Sequence, residues 1–123
     1  MKILSKILIG VVALEHVYIM ILETMLWTTR GLKVFNMTLE YAQTTQVLAF
    51  NQGAYNGVLA AGLFWTFLIK NVEWSRNIAM FFLASVVAMG IVGGLTAKIS
   101  ILWIQAAPAL VALIVTYLAG RGE

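Results

Sequence analysis

Residues 3–27 read ILSKILIGVVALEHVYIMILETMLW. Twenty or so mostly apolar residues, wound as a helix rising about 1.5 Å each, reach across the roughly 30 Å hydrocarbon layer of a bilayer. The middle of this stretch carries Glu15 and His16, and Glu23 follows near its end. An ionisable side chain at that depth costs about 2.5–3.5 kcal/mol on insertion scales. Three of them persist in one segment only if they find partners or perform a task. The stretch therefore sets both the fold class and the place to look for function.

Working outward, three more apolar stretches run from Val47 to Ile69, Ile78 to Ala97 and Ile101 to Leu118. The chain has 123 residues, 62% hydrophobic and 11% charged, with no aspartate and no cysteine. Soluble domains carry about 25% charged residues. So short a chain could not hide four such stretches in a water-soluble core. The reading is all-α: a single domain, residues 1–123, with four transmembrane helices forming a bundle over about 3–27, 38–69, 77–97 and 100–119. The apolar run is too long for a signal peptide and lacks a small-residue cleavage pattern, so the first helix is read as uncleaved.

Charge sets the orientation. Lys2, Lys6, Lys70, Arg76 and Arg121 fall on one side of a four-span topology, and Arg30, Lys33 and Lys98 on the other. Five against three places both termini in the cytoplasm by the positive-inside rule. The net charge of +3 sits on loops and ends. It reports topology and gives no reason to expect nucleic acid as a partner. The lack of cysteine removes disulfide and thiolate chemistry.

One connection is long, residues 28–46. Asn36 or Thr38 can cap a following helix, which then starts near Thr38 and leaves the membrane for about two turns; the alternative is a short interfacial helix followed by a bend. The connection near 97–100 is so short that the third and fourth helices form a tight antiparallel hairpin. Gly53 with Gly57 and Ala61, Gly90 with Gly94, and Gly93 with Ala97 have the small-residue spacing that lets membrane helices approach. Pro108 cannot donate to the carbonyl of Ile104, so the fourth helix is interrupted there.

At about 100° per residue, His16 and Glu23 share one line of the first helix and Glu15 lies at the edge of that face. The second helix supplies Asn51, Gln52, Tyr55 and Asn56 within six residues. Lipid cannot satisfy four such groups. Centring each helix on its apolar stretch places Asn56 roughly level with Glu15 and His16, and Asn51 and Gln52 roughly level with Glu23. Gln105 falls at an intermediate depth. Glu15, His16, Glu23, Asn51, Gln52, Tyr55, Asn56 and Gln105 would then line a polar cleft in the outer half of the membrane.

The run Val12-Ala13-Leu14-Glu15-His16-Val17-Tyr18-Ile19, then Glu23, Leu26-Trp27-Thr28-Thr29, Lys33-Val34-Phe35 and Asn51-Gln52-Gly53-Ala54-Tyr55-Asn56-Gly57 resembles the bacterial membrane-protein family known as domain of unknown function 1304. The resemblance covers essentially the whole chain. It implies four membrane helices and a bacterial cytoplasmic-membrane location, and it brings no activity with it.

Three readings of the polar cluster follow from the residues. A carboxyl and an imidazole in low dielectric can exchange a proton, which suits proton-coupled transport of a small lipophilic or amphipathic ligand. The size and the placement of a glutamate in the first helix resemble small multidrug transporters, although their motifs are absent. Such a chain would need a homo-oligomer to enclose a path. Alternatively, Glu15 and His16 serve as general acid and base in an intramembrane isomerase or lyase, with Tyr55 or Asn56 orienting the substrate. The third reading is structural, with the cluster specifying helix pairing alone. One histidine, no cysteine and no aspartate make a poor transition-metal set. No metal or cofactor is expected, and membrane lipid is the expected surrounding.

Overall fold

The computed structural model describes residues 2–121, so the ends of the 1–123 domain reading (Met1, Gly122 and Glu123) lie outside the described residues. Five α-helices follow in order: α1 (Ile3–Thr24), α2 (Arg30–Val34), α3 (Leu39–Trp65), α4 (Val72–Thr96) and α5 (Ala107–Gly120). A π-helical segment, Leu102–Ala106, leads directly into α5. The described residues contain no strand.

Three helical segments are long and apolar enough to cross a membrane: Ile3–Thr24, Val72–Thr96 and Leu102–Gly120. Much of their surface bears exposed large apolar side chains, among them Leu14, Phe81 and Leu95. A helix that is apolar beyond its packed face is the pattern of a membrane span. The fourth long helix, α3, differs. It is 27 residues long but carries Glu40, Gln43, Gln46, Asn51, Gln52 and Asn56 among its apolar positions.

The helix ends have local causes. At the end of α1 the Thr24 hydroxyl turns back to the Met20 carbonyl (2.7 Å), and Leu26 N–H reaches the Ile21 carbonyl across a widened turn. The helix therefore stops three residues before Trp27. The chain then folds into α2, a short helix inside the long connection. That helix ends with Asn36 at φ 52°, and Met37 N–H bonds the Leu32 carbonyl. Asparagine is the residue other than glycine that best tolerates this left-handed position.

Thr38 caps α3 by accepting from Tyr41 N–H at 3.1 Å. Thr38→Ala is expected to lower stability by about 1 kcal/mol, measured by thermal unfolding in detergent, with Thr38→Ser close to the parent. A Thr38→Ala chain as stable as the parent would show that the connection alone fixes the start of α3. At the other end, the Thr66 hydroxyl bonds the Leu63 carbonyl (2.6 Å), and the Ser75 hydroxyl donates to the Thr66 carbonyl (2.7 Å). Those bonds end α3 at Trp65, before the apolar run stops at Ile69. Asn71 accepts from Trp74 N–H (2.9 Å) and starts α4 at Val72, five residues ahead of the position the apolar pattern gave.

The chain divides into two compact units, residues 14–60 and residues 1–13 with 61–123. In the second of these, the buried face of α4 is Ser75, Ala79, Leu83, Val86, Gly90 and Gly94, spaced three and four apart. The buried face of α5 is Ala109, Ala112, Thr116 and Ala119. Small residues on both faces let α4 and the chain beyond it run back closely antiparallel. A Cβ at Gly90 would fall 2.7–2.9 Å from the Cβ, N and Cα of Ala106, and one at Gly94 would meet Leu102. In the same unit the Ser5 and Thr116 hydroxyls, both fully buried, bond at 2.8 Å and tie α1 to α5.

Pro108 explains the π-helical segment. In an α-helix its missing N–H would leave the Ile104 carbonyl without a partner. Here the ladder has already widened before the proline, with Ala107 N–H reaching the Leu102 carbonyl five residues back. Wide turns of this kind absorb an interruption that would otherwise break the helix. Gln105 lies within the widened turn.

Candidate functional site

Unit 14–60 contains seven of the eight polar residues singled out in the sequence: Glu15, His16, Glu23, Asn51, Gln52, Tyr55 and Asn56. Gln105 belongs to the other unit. The α1–α3 register within this unit is set by small residues. A Cβ at Gly53 would fall 2.7 Å from Thr24 Cγ2, 3.0 Å from Glu23 Cβ and 3.2 Å from the Met20 carbonyl oxygen. Gly57 stands against the Met20 sulfur. Ala42, Ala49, Gly53, Asn56 and Ala60 form the buried seam of α3, spaced as a helix face requires.

That register decides which polar groups meet. Asn56, 4% exposed, donates from Nδ2 to Glu23 Oε1 at 2.5 Å and to the Gln52 carbonyl at 3.3 Å. Centring on apolar stretches puts Asn56 level with Glu15 and His16, whereas its carboxamide bonds Glu23, seven residues beyond His16. The connection sets the register instead. Trp27 donates from its indole N–H to the Thr45 hydroxyl (3.1 Å) and packs its ring 5.2 Å from Phe35, while Thr38 fixes the start of α3. These contacts pair the helices from their loop ends.

The other polar residues of α3 do not join Glu23. Asn51 and Gln52 are exposed, and Tyr55 is 63% exposed. Gln52 reaches Asn56 only through its backbone carbonyl. The density of polar residues in 51–56 is real, but the helix distributes them around its circumference and turns one inward.

On α1, His16 is fully buried. Glu15 is partly buried, and its Oε1 is a buried oxygen with no hydrogen-bond partner. Most buried polar atoms in proteins are bonded, so each exception calls for an explanation. Among the described residues no three His, Cys, Asp or Glu side chains gather as a metal site would require. One contact was not legible beforehand. Arg30 Nε–H donates to the Tyr18 hydroxyl (2.7 Å), and its guanidinium lies 5.6 Å from that ring's centroid. The first charge of the connection is thus folded back onto α1 in a cation–π contact.

Residues 10–117 match the family described as "Protein of unknown function (DUF1304)". The chain belongs to this family. A curated relative, the uncharacterized protein YpaA of Lactococcus lactis subsp. lactis, is 34% identical over 120 residues, covering 95% of this chain and 99% of the relative. No solved structure matches. Membership therefore agrees with the resemblance read from the Glu-His pair and the Asn-Gln-Gly run, and it assigns no activity.

Proposed function

We propose that this is an integral protein of the bacterial cytoplasmic membrane whose residues Glu15, His16, Glu23 and Asn56 form a proton-exchanging site for a small amphipathic ligand, with proton-coupled transport as the activity. On this reading α3 crosses the membrane alongside the three apolar segments, and both ends of the chain lie on the cytoplasmic side. The five-to-three distribution of Lys and Arg supports that orientation.

The observation that carries the functional reading is the buried, unbonded Oε1 of Glu15. A cluster built only to pair helices would bond every buried oxygen, because leaving one unmade costs about 1–3 kcal/mol. Glu23 meets that requirement through Asn56. Glu15 keeps an acceptor open to a proton or to an N–H or O–H group of a ligand, and the next residue in the chain is the buried His16. A carboxyl that takes either a proton or a ligand donor couples the two by competition. The isomerase or lyase alternative drew on Tyr55 or Asn56 to orient a substrate. Tyr55 is exposed and Asn56 is engaged with Glu23, which favours transport.

The test uses proteoliposomes containing a pH-sensitive dye and a panel of amphipathic amines, alcohols and acids. The parent chain is expected to move protons when one panel member is added. Glu15→Gln is expected to reduce that movement at least about tenfold, the loss of one charge-assisted hydrogen bond of about 1.5 kcal/mol, with an unfolding temperature close to the parent's. Proton movement by no compound in the panel would overturn transport. A Glu15→Gln chain that moves protons normally but unfolds earlier would make Glu15 a structural residue.

A further inference from the structure

We infer that α3 is the contact between two copies of this chain, which pair through parallel α3 helices with Asn51 meeting Asn51 across a two-fold axis. The inference rests on the membrane placement of α3 proposed above, and not on the ligand. Opposite the buried seam, Glu40, Thr44, Val47, Asn51, Ala54 and Val58 run along α3 at spacings of four, three, four, three and four. All six are exposed, Val47 at 81%. A three-four alternation is the pattern of a helix that packs on another helix along its length. Gln46, Val47, Phe50, Asn51 and Ala54 line a shallow groove of about 410 Å³ on this face.

Neither lipid nor water suits this seam. Lipid leaves the Asn51 carboxamide without a partner, and water leaves Val47, Val58 and the flanking Phe50 uncovered. A protein surface with an apolar stripe and one carboxamide at the same level satisfies both. A second copy has that surface. Copies inserted in the same direction relate by a two-fold axis along the membrane normal, which sets α3 parallel to its mate and in register. A carboxamide holds both a donor and an acceptor, so Asn51 is complementary to itself across that axis. A single asparagine among apolar neighbours, here Val47, Ala54 and Val58, is also the device that fixes helix register and copy number. Ala54, one turn on, leaves room for the backbones to approach.

The chain has no cysteine, so single-cysteine variants report proximity directly. In membranes treated with a mild oxidant, Ala54→Cys and Val58→Cys are expected to give a covalent dimer. Leu48→Cys, 71% exposed and off the seam, is expected to stay monomeric. Asn51→Leu is expected to weaken the dimer about threefold, the equivalent of one interhelical hydrogen bond of about 0.6 kcal/mol, measured by dilution in lipid. Equal cross-linking at Leu48 and Ala54 would overturn the inference. So would a membrane-embedded parent chain that remains monomeric, or one whose cross-links join it only to a different protein. A chain absent from the membrane fraction would instead overturn the placement on which the pairing depends.

Discussion

Gly90→Leu is expected to destabilise the protein by about 3 kcal/mol, with Gly90→Ala already destabilising. The Cβ of either residue falls 2.7–2.9 Å from the Cβ, N and Cα of Ala106, and two of those atoms are backbone. A flexible side chain could swing aside, but backbone cannot. To admit the new atom, α4 must move away from the π-helical segment, and the packing from Gly90 to Gly94 loosens with it. Overpacking of this kind costs about 1–3 kcal/mol and more when larger groups are forced in. Helix propensity acts the other way, since alanine is favoured over glycine by about 1 kcal/mol in a helix interior. Gly10 separates the two effects. It also lies inside a helix, and a Cβ there would meet Phe67 Cζ at 3.9 Å, an ordinary contact. Gly10→Ala is therefore expected to be neutral or stabilising by up to about 1 kcal/mol, while Gly90→Ala has the opposite sign. Unfolding in detergent followed by circular dichroism measures both. Equal effects at the two positions would show that α4 and the chain after it are not closely packed.

The same contact shows what the sequence could and could not reveal. Small-residue spacing at Gly90, Gly93 and Gly94 pointed to close helix packing, and the short connection near 97–100 required the chain to turn back at once. Both features are local, and local features read well. The helix bounds read less well. An apolar window measures which residues suit hydrocarbon, whereas Asn71 starts α4 through a hydrogen bond to Trp74 and carries the helix through Glu73 and Arg76. Helix α2 has no long apolar run, and the sequence offers a short helix in this connection only as an alternative. It depends on Asn36 taking a left-handed turn and on Gly31, whose N–H bonds the Leu26 carbonyl at 2.7 Å.

The polar cluster was legible as a set of residue types and not as a set of pairs. Periodicity placed Glu23 and His16 on one line of α1, but the partner of each depends on how far α3 slides along α1. A slide of one turn, about 5.4 Å, exchanges one partner for another. That slide is set by the contacts of Trp27, Thr38 and Gly53, which no hydropathy pattern records. The same limit separated Asn51 and Tyr55 from Asn56, since residues one and five apart on a helix point in different directions.

Asn56→Leu is expected to cost about 2 kcal/mol, and replacing Glu23 as well should recover part of that loss. Asn56 donates to Glu23 Oε1 from a position 4% exposed, so its removal leaves a carboxyl oxygen in an apolar setting with its donor gone. Hydrogen bonds to charged groups are worth about 1.5–3 kcal/mol, and most of the cost of breaking one comes from the partner left behind. Glu23→Leu removes the carboxyl and leaves Asn56 its bond to the Gln52 carbonyl. That change should cost less than Asn56→Leu. The double variant has no orphaned group in the pair and should be more stable than Asn56→Leu alone. A double-mutant cycle on unfolding free energies measures this coupling, and simple additivity would show that the two side chains do not act as a pair. The outcome also bears on Glu15. Two glutamates lie eight residues apart on one helix. One has its oxygen bonded by a neighbouring carboxamide, and the other has a buried oxygen without a partner. If the Glu23 pair carries stability and Glu15→Gln leaves stability intact, the unbonded buried oxygen of Glu15 contributes nothing to folding, which is the outcome the proposed proton-exchanging role requires.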